Sequence, residues 1–297
     1  MANVNVWGPQ TWSVLHGLCG LCSPYLVNYK YRIKSTINVS DYAALAKIFQ
    51  LLRTLLPCEL CLNSYRDFYI LMDAERPIIE EIQAGGAFAF CYRMHNLVNE
   101  KLFKQRKGEV YLGQNIDSKR AKDLDDSFRR VQNTPTLLVV EKRFKASDMR
   151  PFSEEAIWTT LASFCVHIDK EKTESAKRER VNAIRDFCGT IGPLLLLGND
   201  YEDLNFRIQF FEALVLALSP LDTSKSLDLL CFAKHEVNFK RLGNESLPLL
   251  LLPSTNPKAT LIKEIYQAAP EELAKRQVTK TGYLESLTVK SCAVSCQ

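Results

Sequence analysis

The chain has no hydrophobic run long enough to cross a bilayer. Its greasiest stretches, FFEALVLALS and LPLLLLP, fall short of the roughly 18 to 20 apolar residues that a spanning helix needs. The opening MANVNVWGPQTWSVLH has neither the basic start nor the unbroken apolar stretch of a secretory signal. A soluble protein with no membrane segment is therefore expected. Charge of one sign is lacking too: 38 basic residues face 34 acidic ones, for a formal net charge of +4, and no block of like charges stands out. Such a balance gives nucleic-acid binding no support. Tryptophan and histidine are scarce, at 3 and 4 in 297 residues, so a segment holding Trp7, Trp12 and His16 is conspicuous.

Cysteine is what the chain has in unusual amount. Ten are present, at 19, 22, 58, 61, 91, 165, 188, 231, 292 and 296. Without a secretory signal they would ordinarily stay reduced, so some other chemistry must account for them. Length and a 46% hydrophobic composition suit two domains with their own cores. The apolar spacing reads as helical over most of the chain. Trp12, Leu15, His16 and Cys19 share one face of a first helix. DYAALAKIFQLLRTLL, with Ser40 or Asp41 as N-cap, forms a second. Pro57 ends it and suits the first turn of a third. A further helix runs from about Arg76 to Phe103, broken or bent at Gly85 and Gly86.

Cys58 and Cys61 therefore open a helix. Two thiols at i and i+3 in a first turn face the same way and can form an easily reduced disulfide, and a helix N-terminus favours a thiolate. On this reading Cys58 is the exposed, attacking sulfur and Cys61, a turn deeper, is shielded. Two packed thiols are one alternative. A four-thiolate zinc site from Cys19, Cys22, Cys58 and Cys61 is another, although the gap between the pairs exceeds that of a zinc ribbon. We expect no metal.

Three segments in order, WGPQTWSVLH at 7–16, PCELC at 57–61 and CYRMHNLVNEKL at 91–102, resemble the Erv/ALR family of FAD-dependent sulfhydryl oxidases. The single-chain length with an added helical half looks most like the oxidases of large DNA viruses. The resemblance implies an all-α, Erv-type FAD-binding helical bundle over residues 1–105; the patterning itself loses its period over 106–150, read as an irregular connection, returns as a helical C-terminal domain over 151–275 and ends in a polar, mobile tail over 276–297. It implies Cys58 and Cys61 as the catalytic pair. It implies FAD contacts from Gly8, Pro9, Gln10, Thr11, Trp12, Leu15 and His16 on the first helix. From the later helix it implies contacts by Cys91, His95, Asn96, Val98, Asn99, Lys101 and Leu102, with His95 near the adenine and Lys101 suited to the pyrophosphate. The sequence departs from the family at two points. The usual partner of the cysteine at 91 falls on Gly108, which leaves Cys91 a packed thiol, and the downstream tryptophan is replaced by Tyr111.

The implied reaction oxidises dithiols of protein substrates, thioredoxin-like or virion proteins, with O2 as electron acceptor and hydrogen peroxide as product. Cys292 and Cys296, in the tail, are candidates for a shuttle pair that would collect electrons at high effective concentration. Cys19 and Cys22 either pack or link to Cys165 or Cys188. The viral resemblance places the protein in host cytoplasm or virion, and a homodimer is one arrangement of its helical face. The second half also echoes the first: Trp158, Leu161 and Cys165 repeat the offsets of Trp12, Leu15 and Cys19. Likewise Cys231 and His235 repeat Cys91 and His95, while Ala162, Leu194 and Leu197 stand where His16, Cys58 and Cys61 would be. This suggests a degenerate pseudo-copy that covers the face through which such domains pair. The competing class is a non-enzymatic assembly protein on an inherited oxidase scaffold.

Overall fold

The computed structural model describes residues 4–23, 37–106, 152–198 and 201–236. The described residues are mostly helical and contain no strand, as an all-α class requires. Helix α1 spans Val4–Leu21, α2 Val39–Leu55, α3 Glu59–Glu75, α4 Ile78–Glu81 and α5 Ala87–Arg106. After the undescribed segment come α6 (Glu154–Cys165), α7 (Glu174–Leu195), α8 (Glu202–Leu218) and α9 (Thr223–Glu236). Residues 107–151 and 237–297, which hold Gly108, Tyr111, Cys292 and Cys296, lie outside the described residues.

The local chemistry explains where these helices begin. The N-cap of α2 is Asn38 and not Ser40 or Asp41: Asp41 sits three positions in, and its carboxylate accepts from the Asn38 N–H at 2.8 Å. That is the acidic half of a capping box, which ties the helix entry from within. Ser153 and Thr173 cap α6 and α7 through their hydroxyls. Pro57 precedes the cap of α3 and does not occupy its first turn, a role that falls to Glu59. Between α4 and α5 the chain passes through a π-turn at Ile82–Gly86, where Gly85 has a φ of 86°, a conformation that costs glycine little. The bend read from Gly85 and Gly86 is there, held across its ends by the Arg93–Glu81 ion pair.

Packing then brings the two described halves together. In the first half α1 lies on α5, α2 on α3 and α3 on α5; in the second, α6 lies on α9, α7 on α8 and α8 on α9. The halves meet through α1 on α6 and α2 on α7. Their buried residues form one continuous cluster, so the two cores expected from length are merged into one. The reason lies in the helix faces: α1 and α2 carry more apolar surface than their own half can cover, and α6 and α7 cover the remainder. At the contact Thr11 Oγ1 lies 3.3 Å from Thr160 Oγ1. Gly17 admits the Phe152 ring so closely that an added Cβ would stand 2.2 Å from it. Arg180 of α7, 1% exposed, donates to the Leu55 carbonyl at 2.9 Å and pairs with Glu171 at 2.6 Å. A second-half cation thus holds the end of α2, three residues before Cys58.

Candidate functional site

The first turn of α3 carries the cysteine pair. Cys58 is its N-cap residue, and the Sγ accepts from the Cys61 N–H at 3.4 Å. This is how a capping side chain satisfies an orphan donor of the first turn. Both residues are thiols in this structure. Their exposure reverses the expected order. Cys58 is 1% exposed, whereas Cys61 is half-buried and borders a cavity of about 560 Å³. The cap position explains it, because a side chain folded back over the helix start is enclosed by the turn that it caps. Cys58 is not a poised thiolate here either. A hydrogen bond shared with the Cys61 thiol, and then burial, push it well above the ordinary cysteine range. The Cys61 N–H and the Lys101 cation act the other way without prevailing.

The cavity runs along α1 and is closed by α2, α3 and α5. From α1 it is lined by Gly8, Pro9, Thr11, Trp12, Leu15 and His16, and from α5 by His95, Val98, Asn99 and Lys101. Gly8, Thr11, Trp12 and Leu15 fall at i, i+3, i+4 and i+7 of α1, and His95, Val98 and Asn99 at i, i+3 and i+4 of α5, which is why two short helical motifs meet in one place. Gln10 and Asn96 do not border it, since each falls off the lining stripe of its helix. Cys91 is fully buried behind the wall, with its Sγ 3.6 Å from His16 Nδ1. The side chain of Leu102 lies outside the described residues.

Three aromatic rings form the cavity's inner face. Trp12 and His95 stack at 4.1 Å between centroids with an 11° tilt. His16 Nε2 lies 3.0 Å from His95 Nδ1. Burial lowers His16 to a pKa of about 4, and burial with the neighbouring His16 does the same to His95. Both rings are therefore neutral at neutral pH, and one must donate to the other. Lys101 is 5% exposed and donates to the Leu60 carbonyl at 3.3 Å. That places a buried cation against the first turn of α3, beside the cysteines and not only along α5.

Sequence reasoning missed the wall supplied by Leu52, Leu56, Ser64 and Tyr65. Tyr65 was legible in principle, being one turn beyond Cys61 on the same face of α3; its hydroxyl donates to the Phe49 carbonyl at 2.9 Å. Trp7, noticed only as part of a motif, also lines the cavity, and its indole N–H is buried with no hydrogen-bond partner. Such an orphan is costly unless something completes it. The zinc alternative requires Cys19, Cys22, Cys58 and Cys61 to converge. Among the described residues no group of three or more His, Cys, Asp or Glu is placed to hold a metal ion. No described helix is long and apolar enough to cross a membrane.

No protein-family model matches the chain, and no curated protein or solved structure is detectably similar to it.

Proposed function

We propose that the chain is an FAD-dependent thiol oxidase that makes disulfides in protein substrates, as its resemblance to the Erv/ALR family implies. The observation that carries the reading is the meeting of Cys61, Trp12, His16, His95 and Lys101 around one cavity, which brings one sulfur of the pair and an aromatic cradle into the same space. Its volume of about 560 Å³ lies within the range of small-molecule sites. The residues suit the cofactor: flat rings for a flavin, a buried cation for a phosphate, and an indole N–H that lacks an acceptor. When bound, FAD supplies the two-electron chemistry that returns the cysteine pair to its disulfide and delivers the electrons to O2 as hydrogen peroxide.

The chain's own work is dithiol–disulfide exchange. A substrate thiolate attacks the Cys58 sulfur of the Cys58–Cys61 disulfide, which forms a mixed disulfide and releases Cys61 as thiolate. The substrate's second thiolate then attacks its own sulfur in that bond, which forms the substrate disulfide and releases Cys58. Two electrons and two protons leave the substrate. Cys61, on the cavity side, is the sulfur next to the cofactor. Cys58 is covered in the dithiol form, so the short run from Leu56 to Cys58 must open to receive a substrate. A polar groove lies outside it, lined by Thr54, Glu59 and Asn63 from the first half and by Lys170 and Glu171 from the second. The matching helix contacts of the two halves support the reading of the second as a degenerate copy that covers the pairing face of the first.

The burial of Cys58, whose thiol the Cys61 hydrogen bond and then that burial push up, is the observation that favours the competing reading, an interaction protein without turnover. Oxygen consumption by the purified protein with a reduced protein dithiol separates them. Uptake of O2 that is lost in Cys61→Ala supports the oxidase, and the same slow uptake in both proteins supports the scaffold.

A further inference from the structure

Both nitrogens of the His16 ring have partners, and both partners come from α5. His16 Nε2 lies 3.0 Å from His95 Nδ1, and His16 Nδ1 lies 3.6 Å from Cys91 Sγ, a bonding distance for an atom as large as sulfur. Cys91 and His95 are one turn apart, where side chains at i and i+4 stand about 5 to 6 Å from each other. A single imidazole from α1 therefore bridges them. Cys91 is a free thiol with no exposed surface. His95 is held by its face, stacked on Trp12 at 4.1 Å, which leaves its ring edge for hydrogen bonds. The Nδ1 edge is taken by His16. Nε2 has no partner among the described residues, and His95 borders the cavity.

Cys91, His16 and His95 thus form a chain of hydrogen bonds whose direction matters at its open end. A neutral imidazole carries one donor and one acceptor nitrogen, and the bond made by one fixes the role of the other. Both rings are neutral at neutral pH, as burial lowers each to about 4. Two polarities are open to the chain. If the thiol donates to His16 Nδ1, His16 carries its proton on Nε2 and donates to His95 Nδ1, and the His95 proton sits on Nε2. If the chain runs the other way, His16 Nδ1–H donates to sulfur and His95 Nε2 is a bare lone pair. Sulfur is a weak acceptor. The first polarity instead gives the thiol proton a basic imidazole nitrogen to bond, and it prevails.

We propose that Cys91 is a positioning residue whose thiol fixes the tautomers of His16 and His95, so that His95 offers an Nε2–H donor to the cavity. The same cavity is bordered by Lys101 and by the Trp7 indole N–H, which is buried without a partner. A third donor makes it select a ligand rich in acceptors: carbonyl oxygens, ring nitrogens or phosphate. The inference concerns the cavity of the oxidase reading and does not rest on that reading, because the tautomers exist without turnover.

The test is the tautomer itself. The full chain as purified, labelled with nitrogen-15 in its histidine rings, is read by long-range proton–nitrogen correlation at neutral pH, where protonated and bare ring nitrogens are well separated. The chain has four histidines, and His16→Gln and His95→Gln assign the two signals. Nε2–H on both rings is the expected result. Cys91→Ser, whose hydroxyl donates as the thiol does, should keep that pattern. Cys91→Ala removes the donor, and the ratio of Nε2–H to Nδ1–H forms should fall about fivefold on both rings, the share of one net hydrogen bond of about 1 kcal/mol. Nδ1–H on either ring of the wild type overturns the proposal. So does a Cys91→Ala protein with unchanged tautomers, or a Cys91→Ser protein that behaves as Cys91→Ala does. Should Cys91→Ala fail to fold, the wild-type and Cys91→Ser spectra decide. A protein without flavin would sink the oxidase reading and leave this readout intact.

Discussion

Trp12 of α1 and Trp158 of α6, which the proposed repeat would place in register, have opposite surroundings. Trp12 is half-buried, stacks on His95 and borders the cavity. Trp158 has no exposed surface; its indole N–H donates to Glu154 at 2.9 Å, and the Arg207 guanidinium lies 5.9 Å above its ring. Arg207 is itself held by Glu154 and Asp203, each at 2.6 Å. Where the first half leaves an indole at the edge of a cavity, the second covers the indole with a fixed cation. The exchange of His16, Cys58 and Cys61 for Ala162, Leu194 and Leu197, all fully buried, completes the contrast. Helices with like contacts enclose a cavity in one half and serve as packing in the other.

The comparison is broken most sharply at the sulfurs. Cys61→Ala should reduce dithiol oxidation to the buffer rate with the fold intact, as measured by oxygen electrode and circular dichroism. Leu197→Ala, at the corresponding second-half position, should leave turnover per folded molecule unchanged and cost about 2 to 5 kcal/mol of stability. Next come the tryptophans. Trp158→Ala is expected to destabilise the chain by about 3 to 5 kcal/mol, read from urea unfolding. Trp12→Ala should cost less stability and lose the flavin, read from the protein's visible colour. Equal stability losses and equal colour would dissolve the distinction.

The seam between the halves gives a third test. Arg180→Met removes the donor to the Leu55 carbonyl and leaves Glu171 without its cation, a loss of about 3 kcal/mol or more. It should also slow turnover, because the run leading to Cys58 loses its anchor. A variant equally stable but slower would show that the second half acts on the redox pair beyond covering it.

The last test is the pH dependence. His16, His95 and His167 are each lowered from about 6.5 to about 4, first of all by burial. Between these values the unfolded chain binds protons that the folded chain does not. The histidines' share of the stability should therefore be level above pH 6.5 and decline as the pH falls toward 4, partly offset by Glu212, which burial raises to about 7 and which favours the folded state as the pH falls through that value. Urea midpoints at pH 7 and pH 5 check this, and an unchanged midpoint would mean that the histidines charge freely in the folded state.

The motif residues on α1 and α5 were legible because each is a stripe at helical spacing, and a stripe must face something. So was the opening of a helix at the cysteines. The depth of Cys58 was not, because cap geometry turns a side chain inward at the point where counting along the chain suggests exposure. Leu52, Leu56 and Tyr65 read as ordinary core until α2 and α3 are seen to close a cavity. The merger of two cores into one was equally hidden, since an amphipathic face states that it needs cover and not which segment supplies it.

The visible absorption spectrum of the purified protein, recorded without oxygen before and after dithiothreitol and again on admitting air, tests the central claim most directly. The account predicts a flavin band that bleaches with the dithiol and returns with oxygen in the wild type, and a band that no longer bleaches in Cys61→Ala. A colourless protein, or a bound flavin indifferent to the dithiol in the wild type, would contradict it.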